Sequence, residues 1–280
     1  MRTSGTPLLG LPSPVSRCAP LLTSLMRRTV AVASTSGREV APVGLHWLSQ
    51  DELDESDGQM MRAASYLRAH SFGVYPADRS EYAKRAHLLI SANDALEQMQ
   101  GGLGLSEESS AGVSDPSGVM RFFPVMVTLR RRDIMSGADG EEALAAVDSL
   151  IANGVHVHIP NGLPEETAYV CGTLDLTVGT RLPSEELIGR HGENGKRAYL
   201  SNVCVLVSLR KRGVAGIMID SACAKARGLG VDHLYVHVVE DNLMARGLYE
   251  KCGFSVEQKE QANVARGLNR PPRLLLHRLL

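Results

Sequence analysis

The chain has 280 residues, 44% of them hydrophobic, with 30 Lys and Arg against 31 Asp and Glu and a formal net charge of −1. That length accommodates one or two domains around a sizeable core, and the even charge balance offers no basic footprint for a nucleic-acid partner. No run approaches the ~18–20 apolar residues of a membrane-spanning helix. The five cysteines (Cys18, Cys171, Cys204, Cys223 and Cys252) are odd in number and lack C-x-x-C spacing, which fits free thiols better than a disulfide framework or a zinc site.

Residues 1–38 contain Arg2, Arg17, Arg27, Arg28 and Arg38 and no acid, the first being Glu39. Ser and Thr are abundant, and Pro7, Pro12, Pro14 and Pro20 break any early helix. This composition predicts a disordered organelle transit peptide. A secretory signal is a poor fit, because polar residues interrupt the stretch from Leu21 to Met26. The Ser/Thr/Pro-rich start suits a plastid address in the stroma. A mitochondrial address is the rival, since Leu21, Leu22, Leu25 and Met26 line one helical face beside Arg27 and Arg28. Without this segment the chain keeps 25 basic against 31 acidic residues, a net charge of −6.

Residues 39–280 read as a single domain. Residues 43–48 suit a first short strand. Ser49-Gln50-Asp51-Glu52 is a capping box that starts a helix running to about His70. Gly73-Val74-Tyr75-Pro76 breaks it, and Asp78 to Glu81 opens a second helix reaching about Gln100. Residues 101–118 are rich in Gly, Ser and acids and read as a flexible loop. A strand over 121–130, a short helix over 141–152 within an insertion at 132–155, and a strand over 167–178 follow. His156 and His158 fall on one side of a strand, as metal ligands can. With no second pair nearby they read as solvated or core histidines. Residues 180–197 form a polar loop. Strands are expected over 231–239, 254–258 and 273–280, and a helix over 242–252.

The segment 199–254 carries the chemistry. An apolar run over 200–209 leads into Arg210-Lys211-Arg212-Gly213-Val214-Ala215, followed by a helix whose Ile217, Met218, Ala222 and Cys223 share one face. A strand, a glycine turn and a helix start make an anion site, because free backbone N–H groups and the positive end of the helix dipole converge there. Gly213 has no Cβ to obstruct the ligand. Neither a G-x-x-x-x-G-K-[ST] nor a G-x-G-x-x-G after a strand occurs, so this is not a nucleotide P-loop. Downstream stands N-x-x-A-x-x-L-Y-x-x-x-G-F, here Asn242, Ala245, Leu248, Tyr249, Gly253 and Phe254.

The two motifs, in this order and spacing, resemble those of the GNAT acetyltransferase superfamily. In that family an R-x-x-G-x-[GA] loop, matched by Arg210, Gly213 and Ala215, holds the pyrophosphate of acetyl-CoA. The resemblance covers residues 41–280, with specific motifs only in the last third, and is nearest to the plant organellar branch that acetylates protein N-termini and lysines. It implies an α/β (α+β) fold: a mixed, twisted sheet of about seven strands flanked by helices, with a splayed strand pair that binds acetyl-CoA. It implies acetyl-CoA as co-substrate and no metal. Main-chain groups of Val203, Cys204 and Val205 would pair with the pantetheine arm, and the loop from Arg210 through Lys211, Arg212, Gly213, Val214 and Ala215 to Gly216 would hold the phosphates. Asn242 would cap its helix and reach the pantetheine.

Tyr249 is the expected general acid, placed by the resemblance beside the CoA sulfur. With a thiol near ~8.5 and a tyrosine near ~10, full proton transfer is uphill by about 2 kcal/mol, small enough for a hydrogen bond that strengthens as thiolate develops. Cys204 lies in an apolar run without an adjacent base and reads as an inert thiol. No carboxylate stands at Tyr199, Leu200, Ser201 and Asn202, where relatives carry a base. Tyr199, Ser201, His237 or a water chain remain open for that role. A weak base favours N-terminal α-amines, which at pH ~7.5 are roughly a third neutral, over lysine, neutral in only about one part in a thousand. A metabolite acetyltransferase and a non-catalytic acyl-CoA-binding protein are the competing classes. The sequence sets no oligomeric state.

Overall fold

In the computed structural model, which describes residues 27–30, 43–48, 55–73, 75, 78–108, 120–135, 140–142, 144–145, 156–158, 167–179 and 197–280, nine strands join one sheet. They are β1 (Arg27–Val30), β2 (Val43–Trp47), β3 (Arg121–Arg130), β4 (His156–His158), β5 (Thr167–Gly179), β6 (Arg197–Val205), β7 (His233–Val239), β8 (Ser255–Lys259) and β9 (Arg273–Leu279). Their order is β1-β2-β3-β5-β6-β7-β9-β8, with β4 paired to β5 off that path. All neighbours are antiparallel except β6 and β7, which run parallel. The helices are α1 (Glu55–Phe72), α2 (Glu81–Glu108), α3 (Arg131–Met135), α4 (Val214–Gly228), α5 (Leu243–Lys251) and α6 (Ala262–Gly267). The α/β (α+β) sheet expected from the sequence is present, with short strands β1 and β4 added to the seven.

Strand alternation assigns the layers. Thr173 and Asp175 of β5 meet Arg68 of α1, whereas a Cβ on Gly172 would lie 3.1 Å from Met218 of α4. Successive residues of a strand point to opposite faces, so α1 and α4 cover opposite sides of the sheet. The whole described length of β5 after Thr167 is buried, as a central strand with both faces covered must be. On α4 the buried stripe is Val214, Met218, Ile219, Ala222, Cys223 and Ala226, each large member contributing roughly 1.5–3 kcal/mol. Ile219, rather than the expected Ile217, completes that face; Ile217 is only partly buried.

Several boundaries differ from the sequence reading. The run over 200–209 is not one strand: β6 starts at Arg197, inside the expected loop, and stops at Val205. Val207–Leu209 form a 3₁₀ turn closed by bonds from the Leu209 and Arg210 amides to Leu206 and Val207. Apolar character continued through the turn because Leu209 is itself buried. The helix expected to end near Gln100 continues to Glu108, since Met99 and Leu103 are buried and a Cβ on Gly102 would sit 2.7 Å from the Phe122 ring. Gly102 there permits close packing, and the helix does not end. Arg27–Val30, inside the leader expected to be disordered, is corrected to an edge strand antiparallel to β2. α3 and α6 were not foreseen. Residues 140–142 and 144–145 are helical, and the remainder of the expected 141–152 helix lies outside the described residues, as do the start signal at 49–54 and most of the 180–197 loop.

Candidate functional site

The parallel pairing of β6 with β7 covers only Arg197 to Leu200 opposite His233 to Val236. Beyond Leu200, β6 stays bonded to β5 while β7 stays bonded to β9. The edge of β6 that faces β7 therefore lacks a strand partner along Ser201–Val205, and a gap opens where the sequence placed Val203, Cys204 and Val205. Cys204 is buried, and burial pushes its thiol up to about 11, partly offset by Arg68. It is a neutral thiol at pH 7, in keeping with an inert role.

Past the gap the chain turns through Arg210-Lys211-Arg212-Gly213 into α4. Lys211 (φ 62°) and Gly213 (φ 82°) are both left-handed, a conformation that glycine adopts without cost. Left-handed residues in a turn bring successive N–H groups to one side and form an anion-binding concavity. Gly213 is the N-cap of α4 and supplies no side-chain cap; the Ile217 amide makes the first intrahelical bond, to the Gly213 carbonyl. The amides of Val214, Ala215 and Gly216 precede it, at the positive end of the helix. A Cβ on Gly213 or Gly216 would meet nothing within 4 Å, so space for a ligand lies over both. No acid occupies the first turn. Arg210 folds back instead of standing free, its Nε donating to the Val205 carbonyl at 3.1 Å. Its guanidinium thereby ties the turn to the last residue of β6.

The second motif is a capped helix. The Asn242 side chain accepts a bond from the Ala245 amide at 3.1 Å, as expected. At the other end Gly253 is left-handed (φ 79°), and the Phe254 amide reaches back to the Tyr249 carbonyl at 3.0 Å. The glycine is needed for that reversal, which brings Phe254 edge-on against Tyr249 with ring centroids 5.6 Å apart. Tyr249 is only 5% exposed. Burial first, then Tyr199 and Cys252, hold its phenol well above the ordinary tyrosine range. Complete proton transfer to a thiolate is thus costlier than the ordinary values suggest, and Tyr249 suits hydrogen-bond donation with the proton kept largely on oxygen.

Of the groups left open as base, the structure joins two. The Tyr199 hydroxyl lies 2.9 Å from Nδ1 of His237, with the rings tilted 5.6 Å apart. Ser201 lies on the same face of β6, two residues on.

Sequence reasoning missed a buried network beside this pair. Arg68 (4% exposed) grips Asp175 (1% exposed) through Nη1 to Oδ2 at 2.8 Å and Nη2 to Oδ1 at 2.5 Å, and Nη2 also donates to Thr173 Oγ1 at 2.7 Å. The Asn202 amide donates to Asp175 Oδ2 at 2.8 Å. Removing one partner of a buried ion pair costs roughly 3–5 kcal/mol. Arg68, Asp175, Ser201 and Asn202 border a cavity of about 210 Å³ that Met99 and Phe122 also line. The available signal was a single carboxylate in the apolar strand TAYVCGTLDLTVG and a single arginine on the apolar face of α1. Among the described residues no cluster of three His, Cys, Asp or Glu side chains is placed to hold a metal.

Residues 165–254 match the model of the acetyltransferase (GNAT) family. GCN5-related N-acetyltransferase 7, chloroplastic, of Arabidopsis thaliana is 45% identical over 115 residues, covering 40% of this chain and 42% of that protein. GCN5-related N-acetyltransferase 6, chloroplastic, of the same plant is 37% identical over 99 residues, covering 31% and 34%. The matched region thus spans less than half the length of either relative. The crystal structure of Arabidopsis thaliana NAA60 in complex with acetyl-CoA aligns over 85% of this chain and 98% of that one, with 13% identity and a TM-score of 0.45.

Proposed function

From a chain that belongs to the GNAT superfamily through residues 165–254, we propose an acetyl-CoA-dependent N-acetyltransferase that modifies protein N-terminal α-amines and, more slowly, lysine ε-amines in the plastid stroma. The observation that carries this reading is the juxtaposition of an unpaired strand edge, Ser201–Val205, with the open, uncapped helix start at Gly213. An elongated ligand with an amide-bearing arm and an anionic end matches that shape. The arm pairs with main-chain groups of Val203, Cys204 and Val205. The phosphates sit over the turn from Arg210, Lys211 and Arg212 to Gly213, against the amides of Val214, Ala215 and Gly216. Asn242 caps α5 and so sets the position of Tyr249.

The chemistry follows from the groups around the gap. The acceptor nitrogen attacks the thioester carbonyl carbon, the C–S bond breaks, and the sulfur leaves as thiolate. Tyr249 donates a hydrogen bond to that sulfur, and its raised phenol remains protonated throughout the working pH range. The proton released by the amine passes to the Tyr199–His237 pair. Such a pair deals more readily with an α-amine than with lysine, whose deprotonation costs roughly 3–4 kcal/mol more. The plastid assignment is supported by the acid-free, arginine-bearing start of the chain and by the chloroplastic names of the two relatives.

Expression of the full chain in bacteria, followed by mass spectrometry of host proteins, tests the reading. Increased acetylation of both N-termini and lysines is the expected result. No increase at either, with acetyl-CoA still bound by the purified protein, would point to a small amine or a non-catalytic role.

A further inference from the structure

The phosphate turn and Tyr249 belong to different helices, α4 and α5, each of which follows its own strand of the parallel pair. Transfer needs the two in fixed register, because the turn anchors one end of the donor while the sulfur leaves from the other. One side chain from a third element reaches both helices. Arg278 of β9 stands opposite Leu234 of β7. Its Nη1 donates to the Cys252 carbonyl at 2.5 Å and lies 3.8 Å from Asp220 Oδ1 on α4.

The bond to Cys252 falls where α5 ends. Cys252 is the C-cap, and Gly253 beside it is left-handed. A Cβ on Gly253 would lie 3.6 Å from Arg278 Nε, so the guanidinium packs along the reversal itself. That reversal returns the Phe254 amide to the Tyr249 carbonyl and sets the Phe254 ring against the phenol. The last carbonyls of a helix have no partner within it, and a cation there also meets the negative end of the dipole. The Arg278 side chain is 21% exposed and the Asp220 side chain 74%. An ion pair with so exposed a partner contributes little. Asp220 therefore steers the guanidinium, and the carbonyl bond holds α5. Arg278 lies beyond the 165–254 segment that matches the family model.

We propose that Arg278 is a positioning residue for Tyr249: from β9 it holds the C-terminal end of α5 against α4, so that the phenol hydroxyl meets the departing sulfur of a donor anchored at the start of α4. The inference rests on the acetyl-transfer reading above. In this role Arg278 acts through Cys252 and Tyr249, and not on the donor itself.

The test uses the full chain with Arg278→Met, Arg278→Lys, Tyr249→Phe and the R278M/Y249F double variant, with R278Q in place of R278M should methionine not fold. In proteins with wild-type circular dichroism, R278M is expected to lower kcat on a peptide acceptor by roughly tenfold while the Kd for CoA stays within about threefold. R278K keeps a charged donor for the Cys252 carbonyl and should hold kcat within about threefold of wild type. In the Y249F background R278M should change kcat little, because the group it positions is gone. A second readout needs no turnover. The absorbance titration of wild type minus Y249F reports Tyr249 alone, whose phenol burial keeps protonated. In R278M that phenol should ionise at lower pH as α5 loosens. Loss of a nearby cation by itself would act in the opposite direction, so the sign identifies movement. A folded R278M with wild-type kcat and phenol titration overturns the proposal, and so does an equal loss of kcat in both backgrounds. If wild type itself transfers no acetyl group, the acetyltransferase reading falls, while the phenol titration still decides whether Arg278 places Tyr249.

Discussion

The Tyr199 hydroxyl and Nδ1 of His237 are 2.9 Å apart, and this contact bridges β6 and β7 at the level where their backbone pairing ends. It couples a phenol and an imidazole across the two strands. His237→Gln is expected to lower kcat on a peptide acceptor by about 10²–10⁴-fold. Tyr199→Phe should cost less, and the double variant little more than H237Q alone, because the pair acts as a unit. The kcat/KM profile of wild type should carry an acid limb that H237Q lacks. An unchanged limb in H237Q would place the base elsewhere.

The two acceptor classes should differ in pH dependence. The rate on an N-terminal peptide should rise to pH ~8 and then flatten, as its α-amine becomes neutral, while a lysine peptide keeps rising towards pH ~10. Identical profiles for the two peptides would show that an enzyme group, and not the acceptor, controls the rate.

Gly213→Asp should abolish CoA binding by calorimetry, since it puts bulk and negative charge over the start of α4 where the structure has open space. Gly213→Ala introduces no clash with the protein, yet it should lower stability by roughly 1–2 kcal/mol in thermal unfolding, because φ 82° is left-handed. Retained CoA affinity in a folded G213D would remove the phosphate assignment.

Tyr249→Phe removes only a hydroxyl and should lower kcat by ~10²–10⁴-fold while the KM for acetyl-CoA barely moves. The buried phenol stays protonated to higher pH than in the unfolded chain, where it ionises near ~10. Its contribution to stability is therefore complete below pH ~10 and is lost as pH rises beyond that value. Alkaline unfolding should shift to higher pH in Y249F, and a wild-type rate in that variant would make Tyr249 a packing residue.

Burial raises Cys171 to about 12 and Cys204 to about 11, and it raises Cys223 as well. Folding holds these thiols protonated, so their stabilisation is present below the unfolded value near ~8.5 and disappears as pH climbs towards 11–12. Iodoacetamide at pH 8 should leave all three unlabelled in native protein and label them after denaturation, as read by peptide mapping. Fast native labelling of Cys204 would contradict the inert assignment.

A fluorescent fusion of residues 1–45 should enter plastids and be cleaved near residues 29–40. Cleavage there would act in or just beyond β1, and removal of that strand would leave β2 as the sheet edge. Retention in the cytosol would defeat the leader assignment, and mitochondrial import would correct the destination.

The extent of sequence legibility follows the range of the forces involved. Asn242 and Gly253 were legible because capping and left-handed reversal act within one helix. Gly213 was legible because a helix start and its amides are defined within a few residues. The 121–130 strand was legible from its own β-formers. The end of α2 was not: the Gly101-Gly102 pair signals a loop locally, and only contact with Phe122 on β3 makes glycine a packing choice there. The break at Val205 was hidden because burial of Leu209 preserves an apolar pattern through a turn. Arg68, Asp175 and Asn202 are separated by up to 134 positions, and none carries a local signature of its role. A buried charge is tolerable only with its partner in place, so their meaning is decided where α1, β5 and β6 converge. By itself, the sequence determined the glycine turn that opens a helix and the capped helix that carries Tyr249. Tertiary structure alone decided which groups meet across the gap, because those contacts exist only once distant segments share one sheet.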